Sequence, residues 1–199
     1  MSTTLTERPA QLDPPRKLWT RAECSTLEAA GLLDGQHLEL IEGDLINKMG
    51  KKRPHVSALG FLTAWAIRVF GEGLVNTEAP IDVGPEDYPT NEPEPDLIVL
   101  NGEPKNFVSG GNPRPADLRL VVEVADTSLQ FDLTTKAALY ARAGIVEYWV
   151  LDVAGRRLIV HRDPQQGGYS SIVEFTAQES VAPLAAPQAN FRVAAAFPA

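Results

Sequence analysis

Two apolar runs, each carrying a single acid at a buried-looking position, most constrain how this chain can fold. "NEPEPDLIVL" spans residues 91–100 and "LRLVVEVADT" spans residues 118–127. A near-continuous β-branched run suits a strand covered on both faces, so 96–100 and 117–125 read as central strands. The difficulty lies in Asp96 and Glu123. An ionised carboxylate taken out of water costs several kcal/mol or takes up a proton.

The two acids make sense as a pair. If the strands are antiparallel neighbours, the start of the first lies beside the end of the second, and Asp96 meets Glu123. Two such carboxylates repel unless a cation sits between them, and an oxygen-only donor set suits Mg²⁺ or Mn²⁺. Lys136 falls about one turn into the helix that follows the second strand. Side chains there tilt back toward the helix start, so its ammonium can reach the pair. A metal ion, two carboxylates and an ammonium form a phosphodiester hydrolysis site, because both cations stabilise the charge that grows on phosphorus. Taken singly, other readings stay open: Glu123 as a buried ion pair with Lys136 or an arginine, and Asp96 as a strand cap after Pro95.

The rest of the pattern frames these strands. The opening "MSTTLTERPAQLDPPR" has three prolines and no periodic apolar face, so 1–17 read as a mobile leader and 18–199 as a single domain. Thr20 and Glu23 have capping-box spacing and Gly31 suits a C-terminal cap, predicting a helix over 21–30. "HLELIEGDLINKM" alternates around a Gly43-Asp44 turn signal, as two short strands or a bent one. "HVSALGFLTAWAIRVFG" predicts a core-facing helix ending at Gly71, and "GLVNTEAPIDVG" a strand. "FDLTTKAALYARAG" predicts a helix with Asp132 as N-cap and Gly144 at its end. With the strand "VEYWVLDV" after it, this is a crossover joining parallel neighbours. "RRLIVHR" pairs back as a hairpin, "GGYSSIVEF" adds an edge strand, and the tail from about 181 has no decisive pattern.

Composition bounds the partners. A formal charge of −8 with a pI near 4.9 repels a polyanion, so nucleic-acid contact needs a local basic patch or metal ions. Lys51, Lys52 and Arg53 form the densest basic run and read either as a guide for a phosphate backbone or as a solvated loop. One cysteine, Cys24, rules out an intrachain disulfide. With no secretory leader or 18-residue apolar span in view, a cytoplasmic protein without a membrane role is expected. Tyr140, Tyr148 and Trp149 read as core aromatics, and no phosphate-cradling glycine loop, zinc spacing or Ser-His-Asp arrangement is visible.

"EPD" at 94–96, "VVEV" at 121–124 and above all "KAALYARAGIVEYWVLD" at 136–152 resemble the Uma-two family of restriction-endonuclease-like proteins, within the PD-(D/E)xK nuclease superfamily. The likeness reaches back through His55 to "LELIEGDL". It implies an α/β fold with a central mixed sheet flanked by helices, Mg²⁺- or Mn²⁺-dependent cleavage of DNA, and a homodimer. It implies Asp96 and Glu123 as the paired acids, Glu39 as an early acid assisting the metal, and His55 as a histidine opening the following helix. The lysine two residues beyond the second acid is replaced by Ala125, and the resemblance assigns its role to Lys136. Where the family carries a Ser-Pro-Ser/Thr turn and a basic stretch after the second acid, this chain reads "ADTSLQFD".

Overall fold

The computed structural model describes residues 16–48, 50–103 and 111–197; the leader expected over 1–17 lies almost wholly outside them. The all-apolar run Leu97–Leu100 (β4) is buried at all four residues, as a strand covered on both faces must be. It pairs antiparallel with Leu118–Ala125 (β5). On its other side it pairs with Val75–Thr77 (β3). The sheet continues through Glu147–Asp152 (β6), Arg157–Gln165 (β7) and Gly168–Thr176 (β8), giving six strands in the order β3-β4-β5-β6-β7-β8. Among the described residues β5 and β6 are its parallel pair. The crossover joining them is the predicted helix.

Two layers cover the sheet. Helix α2 (Arg53–Phe70) packs Ala58, Leu62 and Ala66 on one face, against Leu97, Val122 and Trp149. The segment that had no decisive pattern closes the same face: Phe191 and Val193 are buried there, and the Phe191 ring lies tilted against Trp65 with centroids 4.9 Å apart. The opposite face takes Ile98, Val121, Tyr148 and Val150 against Leu139, Tyr140 and Ala141 of the crossover. The hairpin β1 (Leu38–Ile41) and β2 (Asp44–Asn47) lies on that side through Ile41. Its turn residues are Glu42 and Gly43, both at positive φ. Gly43 is required twice over, since a Cβ there would stand 2.8 Å from Leu18.

Two expectations are corrected. The strand over 73–84 shrinks to Val75–Thr77, because Glu78 takes a positive φ and Pro80 has no amide to donate. Ile81 and Val83 are buried without joining the ladder. Asp132 is not an N-cap. The crossover helix starts at Leu129, three residues earlier, as α3 (Leu129–Phe131), winds through a π turn over Asp132–Lys136 and continues as α4 (Ala137–Arg142). The first helix, α1 (Arg21–Ala29), has the expected Thr20/Glu23 capping box and Gly31 at φ 71° just beyond it.

Candidate active site

Alternation decides where the two acids point. Leu97 lies opposite Val122 in the β4–β5 ladder and both face α2, so Asp96 and Glu123, one step along each chain, face the other side together. Asp96 is also tied to the neighbouring strand: its Oδ2 accepts the Val124 amide at 2.8 Å. Glu39 comes from the hairpin. Burial in β1 aims it inward, where its Oε2 accepts the Glu94 amide at 3.3 Å, while Glu42 in the turn is exposed.

Lys136 joins the set from the crossover helix. Its Nζ lies 2.9 Å from Glu123 Oε1 and 3.0 Å from Glu39 Oε1. The π turn that ends at Lys136 is held by Tyr148, whose hydroxyl donates to the Asp132 carbonyl at 3.0 Å; such turns recur at functional positions. His55, in the first turn of α2, brings Nε2 to 3.3 Å from Asp96 Oδ1, outside hydrogen-bonding geometry. All five residues singled out from sequence, Asp96, Glu123, Lys136, Glu39 and His55, therefore line one pocket of about 270 Å³.

Sequence reasoning missed three participants. Lys51, which read as a backbone guide or loop residue, donates to Asp96 Oδ1 at 2.9 Å and also pairs with Glu78. Asp132 is buried in the same pocket and accepts the Ser128 hydroxyl at 2.5 Å. Tyr140, expected as plain core, donates its hydroxyl to Glu123 Oε1 at 3.0 Å. Asp132 alone carried a readable signal, as an acid four residues before a lysine on one helix; the other partnerships depend on tertiary contact.

The electrostatics are unbalanced. Glu39, Asp96, Glu123 and Asp132 are each at most 6% exposed and Lys136 is 3% exposed, so four buried carboxyls share one buried ammonium. Burial pushes Glu123 up to about 8, and Asp132, Asp96 and Glu39 add to the rise against the pull of Lys136. Asp132 rises to about 6, again chiefly through burial. Burial would also raise Asp96, but His55 and Lys51 outweigh it and hold the carboxyl well below its usual range. Lys136 stays firmly charged: burial works against it, and Glu123, Glu39 and Asp132 more than offset that. Such a surplus of buried negative charge has three remedies, namely protonation, strain or a further cation.

The donor chemistry, oxygen only, is the kind a small divalent ion prefers. Asp96 and Glu123 offer carboxylates on one face, Glu39 a third close by, and the half-exposed Lys51 ammonium on Asp96 stands where a cation satisfies that carboxylate. Among the described residues no group of three His, Cys, Asp or Glu side chains is placed so that it could hold a metal ion as it stands. Lys136 itself occupies the space between Glu39 and Glu123.

Comparison with known proteins agrees with this architecture. A family model described as "Uma2: Putative restriction endonuclease" matches residues 23–196. No curated protein matches significantly. Among solved structures, that of "a putative nuclease belonging to DUF820 from Anabaena variabilis ATCC 29413" matches with a TM-score of 0.63 at 17% identity. The match covers 81% of this chain and 90% of that one, and it shows a shared restriction-endonuclease-like α/β fold. Among the described residues no helix is long and apolar enough to cross a membrane.

Proposed function

The chain belongs to the Uma2 family of restriction-endonuclease type, and from that premise we propose that it is a metal-dependent endonuclease hydrolysing phosphodiester bonds in DNA. The observation that carries the reading is the convergence of Asp96, Glu123 and Lys136, from three distant stretches of chain, on one side of the sheet and in one pocket. Asp96 and Glu123 would hold Mg²⁺ or Mn²⁺, with Glu39 assisting. When bound, such an ion polarises a phosphoryl oxygen and lowers the pKa of a coordinated water.

The chain's own residues do the remainder. Lys136, charged throughout the physiological range, orients the attacking water and neutralises charge developing on the phosphate. Tyr140 holds Glu123 Oε1 in place through its hydroxyl. Asp96 is fixed by the Val124 amide, so its remaining oxygen has one orientation. Lys51 reaches Asp96 from a partly exposed position, from which its ammonium would also reach a substrate phosphate. His55 lies beside Asp96 Oδ1, within reach of a proton at that edge of the pocket.

A second reading has a specific observation behind it. The Lys136 ammonium already bridges Glu39 and Glu123 as a closed buried ion pair, which also suits a nuclease-fold protein acting only as an oligomeric or nucleic-acid-binding module. Incubating supercoiled plasmid with the chain and Mg²⁺ or Mn²⁺ separates the two. The nuclease reading expects nicked and linear products from the wild type and none from Asp96→Ala or Lys136→Ala. Plasmid left equally intact by all three supports the module.

A further inference from the structure

A second groove, of about 480 Å³, borders the first turn of α2. Its lining includes Arg53, Val56 and Ser57 from that turn, Val153 and Arg156 from the β6–β7 connection, and Phe197. No aspartate or glutamate lines it, in a chain with 26 acidic residues against 18 basic ones. Among the described residues neither arginine is ion-paired; Arg156 donates to the Phe197 carbonyl at 2.9 Å and lies 5.2 Å from that ring.

The connection that carries Arg156 is stiff. Asp152 accepts the Gly155 amide and the Arg157 Nε, each at 2.8 Å. A Cβ on Gly155 would come within 2.3 Å of that carboxylate, and Arg156 itself sits at φ 51°. The groove is also tied to the carboxylate pocket. The Val153 amide donates to the Ala125 carbonyl, joining the ends of β5 and β6, and Asp126, next in sequence, lines the pocket. Lys51, Lys52 and His55 border the pocket, while Arg53 and Val56, on the same turn, border the groove. Basic side chains thus lead from the acids to the groove: Lys51, paired with Asp96 and Glu78, then Lys52, 3.9 Å from Asp126, then the unpaired Arg53 and Arg156.

We propose that this groove seats the sugar-phosphate backbone of the nucleic acid beyond the reacting bond, with Arg53 and Arg156 each holding one phosphate. The proposal rests on the nuclease reading for its partner, and on the acid-free, arginine-bearing groove for its position. An acidic protein repels a polyanion everywhere except along such a path. Guanidinium forks match phosphate oxygens in geometry as well as charge.

The test is fluorescence anisotropy of a labelled DNA duplex, and of an RNA duplex of the same sequence, titrated with the full chain in Ca²⁺ at several salt concentrations. Each phosphate contact contributes about 0.9 to the slope of log K against log salt. Arg53→Gln and Arg156→Gln should each flatten the slope by about that amount, and the double variant by about twice it. Arg156→Lys should retain the wild-type slope. Arg53 has no tertiary partner to lose, so its variant keeps the proposal testable should Arg156→Gln melt early. Unchanged slopes in Arg53→Gln, or no binding of either duplex by the wild type, overturn the groove. Equal arginine dependence for both duplexes supports it with a backbone of either sugar, and dependence for DNA alone supports it with DNA. Plasmid cleavage is scored separately: arginine-dependent binding without cleavage leaves the groove and removes the chemistry, while cleavage with unchanged slopes does the reverse.

Discussion

Replacing Lys136 by methionine removes the buried cation shared by Glu39 and Glu123 while keeping most of the side chain's length. The ammonium lies 2.9 and 3.0 Å from the two carboxylates. Breaking a buried pair by removing one partner costs about 3–5 kcal/mol. In a chain of this size each kcal/mol corresponds to about 2–4 °C, so the melting temperature should fall by about 6–20 °C near pH 8. The pH dependence is the sharper part. Glu123 has its pKa raised by burial from 4.5 to about 8, so between those values the native state holds more protons than the unfolded state. Stability contributed by this group is complete below about 4.5 and is lost as pH rises toward 8, with a limiting slope of about 1.4 kcal/mol per pH unit. Lys136 pulls the Glu123 pKa down against burial, so without the ammonium that loss runs on to higher pH. The variant's deficit should therefore grow as pH rises through about 8, where the wild-type Glu123 ionises beside Lys136 and the variant's does not. Urea titrations followed by emission of the stacked Trp65 and Trp149 give the numbers. A deficit that stays constant or shrinks with rising pH would falsify the claim that this lysine compensates desolvated carboxylates.

Three further outcomes follow from the same geometry. Mn²⁺ affinity, measured calorimetrically, should rise between pH 6 and 8 toward a limiting tenfold per unit as the ion displaces the Glu123 proton; a flat profile would mean that the ion avoids Glu123. Tyr140→Phe keeps the ring contact with Tyr148 at 4.9 Å but removes the hydroxyl donor to Glu123. It should cost about 0.5–1.5 kcal/mol in denaturant while moving the rising limb of the cleavage pH profile upward, and an unmoved profile would separate Tyr140 from the site. Ala125→Lys, which installs the superfamily's strand lysine, should destabilise by several kcal/mol because Ala125 is fully buried. A variant melting within 2 °C of the wild type, about 1 kcal/mol or less, would show that the cluster has room there.

What the sequence disclosed and what it withheld divide along physical lines. Asp96 and Glu123 were legible because side chains alternate strictly along a strand, so their facing follows from which neighbours are apolar. The crossover was legible because strand, helix and strand at that spacing have one compact solution. Lys51 was hidden because a loop has no period, and its approach to Asp96 is set by where α2 begins. Asp132 was misread because an acid ahead of good helix formers looks like a cap, and a π turn leaves no periodic mark. The tail was unreadable since Ser180–Val181 and Phe191–Arg192 are strands too short to show alternation, yet Phe191 and Val193 complete the core over Trp149.

The position of the lysine explains why these features belong together. On β5, residue 125 points to the same side as Glu123, but that place is taken by packing: Ala125 is fully buried in the cluster that includes Ile41, Val121 and Ala137. A lysine there would push the crossover helix off the sheet. Carried on the helix instead, the ammonium reaches Glu123 on the central sheet and Glu39 on the hairpin at once. Hairpin, sheet and crossover are thereby tied at a single charge, with Tyr148 bracing the turn that delivers it. One consequence is that folding and chemistry draw on the same contacts here, so loss of activity in a truncated variant is uninformative unless its stability is measured alongside. Substitutions that keep shape and remove one donor, such as Tyr140→Phe, are the ones that separate the two.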